Sequence, residues 1–384
     1  MVKWKGSFIF HVPPTIRELA KLAGVSRTTV SMALRNSPRI SQSVREKIAR
    51  LAENLGYQRD PIVSSLMNQL RTTRKVRSVE KIAYLTFWNT ADGWQSNTNE
   101  FGYFQGVSQR AGHLGYEVEA FWAKQPGMSG ARLSRILYTR GIRGVILAPL
   151  PRGVGHVSLD WKHFAAAALS LTVLKPDLHR ASHDYHDGMN LALHSLKKLG
   201  YKRPGFANMA IFDQRTKHGW LSGFLTYQYN LPLAQRIPPY LVPGVDRDTA
   251  WDRERFSRWL DKWKPDSIVS NTEQPLHLCQ ELGYKAPKII GFASLHKLHE
   301  SDPWAGIDRQ SGNIGAAGVD LVVAQLQNNE FGLPQCPKTV LINSLWCDGP
   351  TVTNLAAPVG TKKQPRPRHN GSGRAQVTPS KRKR

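Results

Sequence analysis

Residues 15–41, TIRELAKLAGVSRTTVSMALRNSPRIS, constrain the fold more than any other stretch of the chain. Thr15 and Glu18 stand in the S/T-x-x-E pattern of a capping box, so a helix is predicted to begin there. Ile16, Leu19, Ala20 and Ala23 recur at helical spacing until Gly24, a residue that can take the positive φ at which a helix stops abruptly. Ser26 offers the N-cap of a second helix with Val30, Ala33 and Leu34 on its inner face. Two helices joined by so short a turn pack closely only under three conditions. The first must present a small side chain at the crossing, the turn must hold a glycine, and the second must plug the contact with an apolar group. Ala20, Gly24 and Val30 meet those needs.

This is the spacing of a helix-turn-helix, whose second helix lies in the major groove of DNA with its first residues against base edges. Arg27, Thr28, Ser31 and Met32 are left facing outward. An ordinary helical hairpin with a solvated face is the competing interpretation, and the residues that follow weigh against it. Ser41 or Ser43, the latter with Glu46 three residues on, caps a third helix through about Asn54, and Val44, Ile48, Leu51 and Leu55 complete a small core. Gly56-Tyr57 closes it. Asp60-Pro61 then opens a helix of barely two turns, marginal alone in water, followed by the basic connector RTTRKVR. The segment is expected to act as a hinge that becomes helical only when something holds it.

The charge distribution agrees. The 384 residues carry a formal +25, with 53 Lys and Arg against 28 Asp and Glu, and this favours a polyanionic partner. Residues 1–80 hold 15 basic and 5 acidic side chains, and residues 362–384 hold 9 basic and none acidic, so most of the excess sits at the two ends. The tail, TKKQPRPRHNGSGRAQVTPSKRKR, is too poor in apolar residues to form a core; it either adds sequence-independent phosphate affinity or merely solvates. Cys279, Cys336 and Cys347 are too few and scattered for a disulfide framework, so a reducing, cytoplasmic location is expected. No apolar run approaches a membrane span, and SFIFHV near the start is too short for a signal-peptide core.

From Lys81 the pattern changes. IAYLTF (82–87), EVEAFW (117–122), GVILAPL (144–150), AAAALSL (165–171), PGFANM (204–209), DSIVS (266–270) and KIIGF (288–292) read as buried strands alternating with helices, the rhythm of parallel α/β sheets. Two helical segments each close on Leu-Gly-Tyr before a strand, which supports two similar lobes joined by crossovers with a ligand cleft between them. HRASHDYHD (179–187) concentrates three His and two Asp in nine positions, but the spacing matches no zinc pattern. It is expected to be a polar loop before a helix, with no metal. No nucleophile elbow, HExxH or P-loop occurs, so no enzyme and no cofactor are expected.

TIRELAKLAGVSRTTVS, then PRIS, GYQRD and SSL in register resemble the DNA-binding headpiece of the lactose/galactose repressor (LacI/GalR) family, closely over about residues 14–70 and more loosely over about 80–350. The resemblance implies a lambda-repressor-like all-α headpiece attached to a two-lobed α/β core like the periplasmic-binding-protein type I module. It implies that Arg27, Thr28 and Met32 read bases, that Thr29 and Ser31 hold phosphates, and that Tyr57 supports the headpiece on the backbone. Leu66 falls on the hinge-helix leucine that wedges into the minor groove. Thr15, Ser26 and Arg35 complete the expected DNA-facing set. Met32 stands where many relatives carry Arg, which favours an apolar contact to a thymine methyl over a guanine contact, and Pro61 stiffens the start of the hinge. One headpiece buries too little surface for specific binding, so a homodimer on a palindromic operator is expected.

In the core, DYHDGMNLALHSLKKLGYKR is similar to the family segment that opens the second lobe, with Asp184 and Gly188 at its marker positions. Trp220, Asn271-Thr272 and Gly291-Phe292-Ala293 replace an Arg, an Asn-Asp and a Gly-Phe-Asp of relatives. Losing these groups removes bidentate partners for sugar hydroxyls, which argues against an ordinary sugar. Trp88, Trp94, Trp122, Trp161 and Trp220 either stack on a carbohydrate or belong to the core. Arg215, Trp220 and Asn271 are the candidate effector contacts. The expected organisation is a disordered lead-in (1–13), headpiece (14–58), hinge helix and linker (59–79), effector-binding and dimerisation core (80–355) and basic disordered tail (356–384). The expected function is a regulator, most simply a repressor, whose effector changes the placement of the headpieces, on a chain found with the nucleoid. The competing classes are a solute-binding protein of the same core and an architectural DNA binder with a vestigial cleft.

Overall fold

The computed structural model describes residues 15–37, 39–55, 57, 80–244, 250–297 and 302–356. The lead-in, the expected hinge helix with Leu66, and nearly all of the basic tail lie outside these residues.

Three short helices form the headpiece: α1 (Ile16–Ala23), α2 (Arg27–Leu34) and α3 (Gln42–Asn54). The capping box forms in both directions. The Thr15 amide donates to Glu18 Oε2 at 2.6 Å and the Glu18 amide to Thr15 Oγ1 at 3.4 Å. Gly24 takes φ 69° and its amide donates back to the Ala20 carbonyl, ending α1. Leu19, Ala20, Ala23, Val30, Ala33, Ile48 and Ala52 make the core. Of the two serines that might start α3, Ser41 holds the cap position. Its side chain caps no amide and lies 3.3 Å from the Ser43 hydroxyl, while Glu46 accepts from Gln42 Nε2 at 3.0 Å.

The rest is two α/β lobes. The first contains β1 (Glu80–Thr86), α4 (Thr98–His113), β2 (Tyr116–Trp122), α5 (Gly130–Thr139), β3 (Gly144–Leu147), β4 (Gly155–His156), β5 (Ala165–Leu169), β6 (Val173–Lys175) and β7 (His179–His183). The second runs through α6 (Tyr185–Lys198), β8 (Pro204–Met209), α7 (Ala210–Arg215), α8 (Gly219–Tyr229), β9 (Tyr240–Val242), α9 (Arg253–Trp263), β10 (Ser267–Ser270), α10 (Gln274–Glu281), β11 (Gly291–Lys297) and β12 (Ala305–Asp308). The chain then returns to the first lobe as α11 (Ser311–Asn328) and β13 (Thr339–Ile342), and ends in the second with β14 (Leu345–Cys347). Strand order is β13-β7-β5-β3-β1-β2 in one sheet, parallel throughout, and β14-β12-β11-β10-β8-β9 in the other, parallel except for β14. Apolar clusters cover both faces of each sheet, which is why the strands read as continuous apolar runs.

Two expectations need correction. KIIGF is a strand only from Gly291, and β11 runs on to Lys297, because its ladder begins where Ser267 of β10 faces Gly291; Ile289 is left exposed. HRASHDYHD is not a polar loop. Its first five residues are the buried strand β7, between β5 and β13. Partners offset the burial of its polar groups: His179 Nδ1 accepts the Lys338 amide at 2.9 Å, Arg180 Nη1 donates to the Val173 carbonyl at 2.7 Å, and His183 Nε2 lies 3.2 Å from Ser344 Oγ. No cluster among the described residues could hold a metal.

The chain passes between the lobes three times, near Asp184, Gln310 and Asn343. Gln310 Nε2 donates to the Asn343 carbonyl at 2.7 Å, and Ser344 meets His183, so the crossovers are tied to one another.

Candidate functional site

At the start of α2, Ser26 Oγ accepts the Thr29 amide at 3.0 Å and lies 2.8 Å from Thr29 Oγ1, fixing the first turn. Arg27 and Thr28 then project from that turn, both exposed. Here the free amides of a helix N-terminus and a guanidinium add to one positive field, suited to phosphates and base acceptors. One turn on, the Arg35 guanidinium folds back onto the Ser31 hydroxyl, with Nε donating to the Ser31 carbonyl at 3.2 Å. Met32 is half-buried beside them. Arg45 Nη1 donates to Asn36 Oδ1 at 2.6 Å and so pins the connection between α2 and α3.

Arg27, Thr28, Thr29, Ser31 and Met32 thus share one helix, with Ser26 and Arg35 at its two caps. Thr15 stands at the start of α1, its hydroxyl donating to Glu18 Oε2 at 2.9 Å. Tyr57 is half-buried on the headpiece core, its amide donating to the Ala52 carbonyl at 2.9 Å. Leu66 lies outside the described residues.

A second candidate site lies between the lobes. The carboxyl ends of the parallel strands of both sheets converge there, the usual place for a ligand in an open α/β sheet. Arg215, the last residue of α7, reaches from the second lobe into the first, donating from Nη1 to the Gly153 carbonyl at 2.7 Å and from Nη2 to the Leu150 carbonyl at 2.8 Å. Glu100, in the first turn of α4, is 6% exposed, and its Oε2 has no hydrogen-bond partner among the described residues. Burial pushes its carboxyl up to about 8, against the pull of Arg215 and Arg309. Arg309, just past β12, carries a buried Nε that also lacks a partner.

Tyr84 Oη and Asn99 Oδ1 are likewise buried without partners. Tyr185 Oη lies 3.3 Å from Ser170 Oγ. Asn271, half-buried at the end of β10, leaves Oδ1 unpartnered. Trp220 is fully buried, its ring packed on His183 and Tyr185 with centroids 5.2 and 5.1 Å away. Its indole is therefore wall rather than open surface. Trp94 is also core, 4.7 Å from the Phe104 ring, and Trp122 Nε1 donates to the Trp88 carbonyl at 2.8 Å. Burial among these rings pushes His183 down to about 3, so it is neutral.

Of the candidate contacts, Arg215 has the partners of an interlobe residue. Glu100 and Arg309 did not emerge from the sequence. Glu100 carried one signal: Asn97-x-x-Glu100 is an N-cap pattern in the stretch between the first two predicted strands, and Asn97 Oδ1 does accept the Glu100 amide at 3.1 Å. Arg309 carried none, since only the return of the chain between lobes brings it near Glu100.

Residues 15–60 match the family model described as bacterial regulatory proteins, lacI family. The chain is 51% identical over 55 residues to the "Probable HTH-type transcriptional repressor ExuR" of Bacillus subtilis (strain 168), which is 14% of this chain and 16% of that protein. It is 24% identical over 217 residues to the NTD biosynthesis operon regulator NtdR of the same organism, 56% of this chain and 62% of that one. The matched stretches thus span less than two thirds of either relative. Among solved structures, a complex of the transcriptional regulator CelR with cellobiose superposes with a TM-score of 0.51 at 15% identity, over 88% of this chain and 99% of that one. A LacI family transcriptional regulator from Enterococcus faecium with bound ribose gives 0.50 at 14%, over 72% and 100%. The fold is therefore that of a headpiece plus a two-lobed core. No helix among the described residues is long and apolar enough to cross a membrane.

Proposed function

We propose that this protein is a sequence-specific transcriptional regulator that binds a palindromic operator as a homodimer and answers to a small molecule held between its lobes. The observation that carries this reading is the exposed first turn of α2, with Arg27 and Thr28 outward and Ser26 and Thr29 locked behind them, on a chain whose core encloses buried polar groups lacking partners. Arg27, Thr28 and Met32 would read bases, and Thr29, Ser31 and the basic surface would hold phosphates. Thr15, Ser26, Arg35 and Tyr57 would support the docked headpiece, and Leu66 would wedge the central base step.

An effector can bias such a protein only by binding one arrangement of the lobes better than the other. Arg215, which already bridges them, is placed to sense that difference, and Asn271 lies on the same edge of the second sheet. Repression is the simplest sense of the regulation, the cleft binds and does not catalyse, and the chain works in the cytoplasm on the nucleoid.

In vitro selection from random duplexes, followed by titration of the selected site and a scrambled one at fixed salt, tests the reading. A palindromic consensus and a specificity ratio of roughly a thousand or more are expected. Equal affinity for all duplexes would instead favour an architectural binder.

A further inference from the structure

One buried carboxyl between the lobes has an unusual pair of neighbours: two guanidiniums, Arg215 and Arg309, act on Glu100 electrostatically. Arg215 is committed, with both terminal nitrogens on carbonyl oxygens of the first lobe. Arg309 is not, because its Nε is buried without a partner. Burial also holds Glu100 in its neutral form at pH 7, so it does not cancel either cation. A neutral carboxyl is a donor as well as an acceptor. Beside it, Tyr84 Oη and Asn99 Oδ1 are buried and unpartnered. An unpaired guanidinium nitrogen thus lies near a group of unpartnered neutral hydrogen-bonding atoms, and each feature alone is costly to bury.

Resting on the reading of this cleft as the effector site, we propose that the effector is a polyhydroxylated monoanion, a sugar acid with one carboxylate. The carboxylate pairs with Arg309, and the hydroxyls meet Glu100, Tyr84 and Asn99. A cationic ligand would add charge of the wrong sign. A neutral sugar would satisfy the hydroxyl partners and leave the guanidinium uncompensated. A phosphate ester brings a second charge, and the other guanidinium, Arg215, already has both terminal nitrogens on backbone carbonyls.

The test is titration calorimetry on the full chain at pH 7 with D-glucuronate, D-galacturonate and D-gluconate, their neutral counterparts D-glucose and D-galactose, and glucose 6-phosphate. At least one acid is expected to bind about tenfold or more tightly than its neutral counterpart and the phosphate. Arg309→Gln, checked for an unchanged circular dichroism spectrum, is expected to shrink that preference to about threefold or less. Wild-type protein that binds a neutral hexose as tightly as its acid, or glucose 6-phosphate more tightly, overturns the sugar-acid assignment and leaves the cleft as effector site. Failure of every compound to bind or to change operator affinity overturns the assignment and the effector-site reading together.

Discussion

The guanidinium of Arg215, in the second lobe, donates to the carbonyl oxygen of Leu150, in the first, at 2.8 Å, and a second bond to Gly153 makes the contact a two-point latch. Each bond joins a charged donor to a backbone acceptor, a kind that contributes about 1.5 to 3 kcal/mol. Arg215→Ala is expected to lower stability by roughly 2 to 4 kcal/mol and to open the lobes. Urea denaturation and small-angle scattering check this; a stability change under about 0.5 kcal/mol with an unchanged radius of gyration would remove the latch.

Arg27→Ala is predicted to cost about 1 to 3 kcal/mol on the cognate site and to relax base preference at one position. Competition titrations against single-base variants measure it. Equal loss on every sequence would mean that Arg27 touches phosphate only.

Leu66→Ala is expected to leave the fold intact while weakening specific binding and reducing DNA bending, as removal of a minor-groove wedge should. Gel mobility with circularly permuted sites reports the bend, and an unchanged angle rejects the wedge.

Gly24 sits at φ 69° with nothing within 4 Å of where a Cβ would stand. Any penalty for a side chain there is conformational and not steric. Gly24→Ala should destabilise the headpiece by about 1 kcal/mol, and Gly24→Asn by less, since Asn tolerates the left-handed region. A thermal melt that ranks Asn below Ala would contradict this.

Glu100 gives the core a pH dependence of defined sign. With its carboxyl raised to about 8, the folded protein keeps a proton that the unfolded chain releases in the ordinary carboxyl range. The contribution is complete below that range and is lost as pH climbs toward 8, by at most about 1.4 kcal/mol per unit. His183, lowered to about 3, acts oppositely below about 6.5, where the unfolded chain gains a proton that the folded one refuses. Between pH 6.5 and 8 only Glu100 contributes of these two. Wild type should therefore lose stability relative to Glu100→Gln across that window, and parallel melting curves would show that the carboxyl is ionised in the fold.

The headpiece was almost entirely legible from its residues, because its determinants are local: a cap, a stop, and small and large side chains at helical spacing. Thr15, Gly24 and Val30 do what their positions imply. Seven strands, β1, β2, β3, β5, β8, β10 and β11, were legible as apolar runs for the same reason, whereas the short strands β4, β6, β9, β12, β13 and β14 were not. β7 was not, because His179, Arg180, Ser182 and His183 read as solvated until Lys338, Val173 and Ser344 arrive from elsewhere in the chain to satisfy them. The cleft was half legible: Arg215 was named, but Glu100 and Arg309 meet only through the crossover near Gln310. Trp220 was named for its position in the family pattern, and its ring serves the packing around His183.

Where the backbone spans the gap, Gln310 holds the Asn343 carbonyl and Ser344 meets His183. Three parallel straps cross-linked in this way behave as the spine of a book. Ties of this kind favour a swing of the covers about one axis over twist or shear. On the proposed function, an occupant of the gap would be converted into a single angle, and in a paired molecule one angle would be enough to set how far apart two reading heads stand.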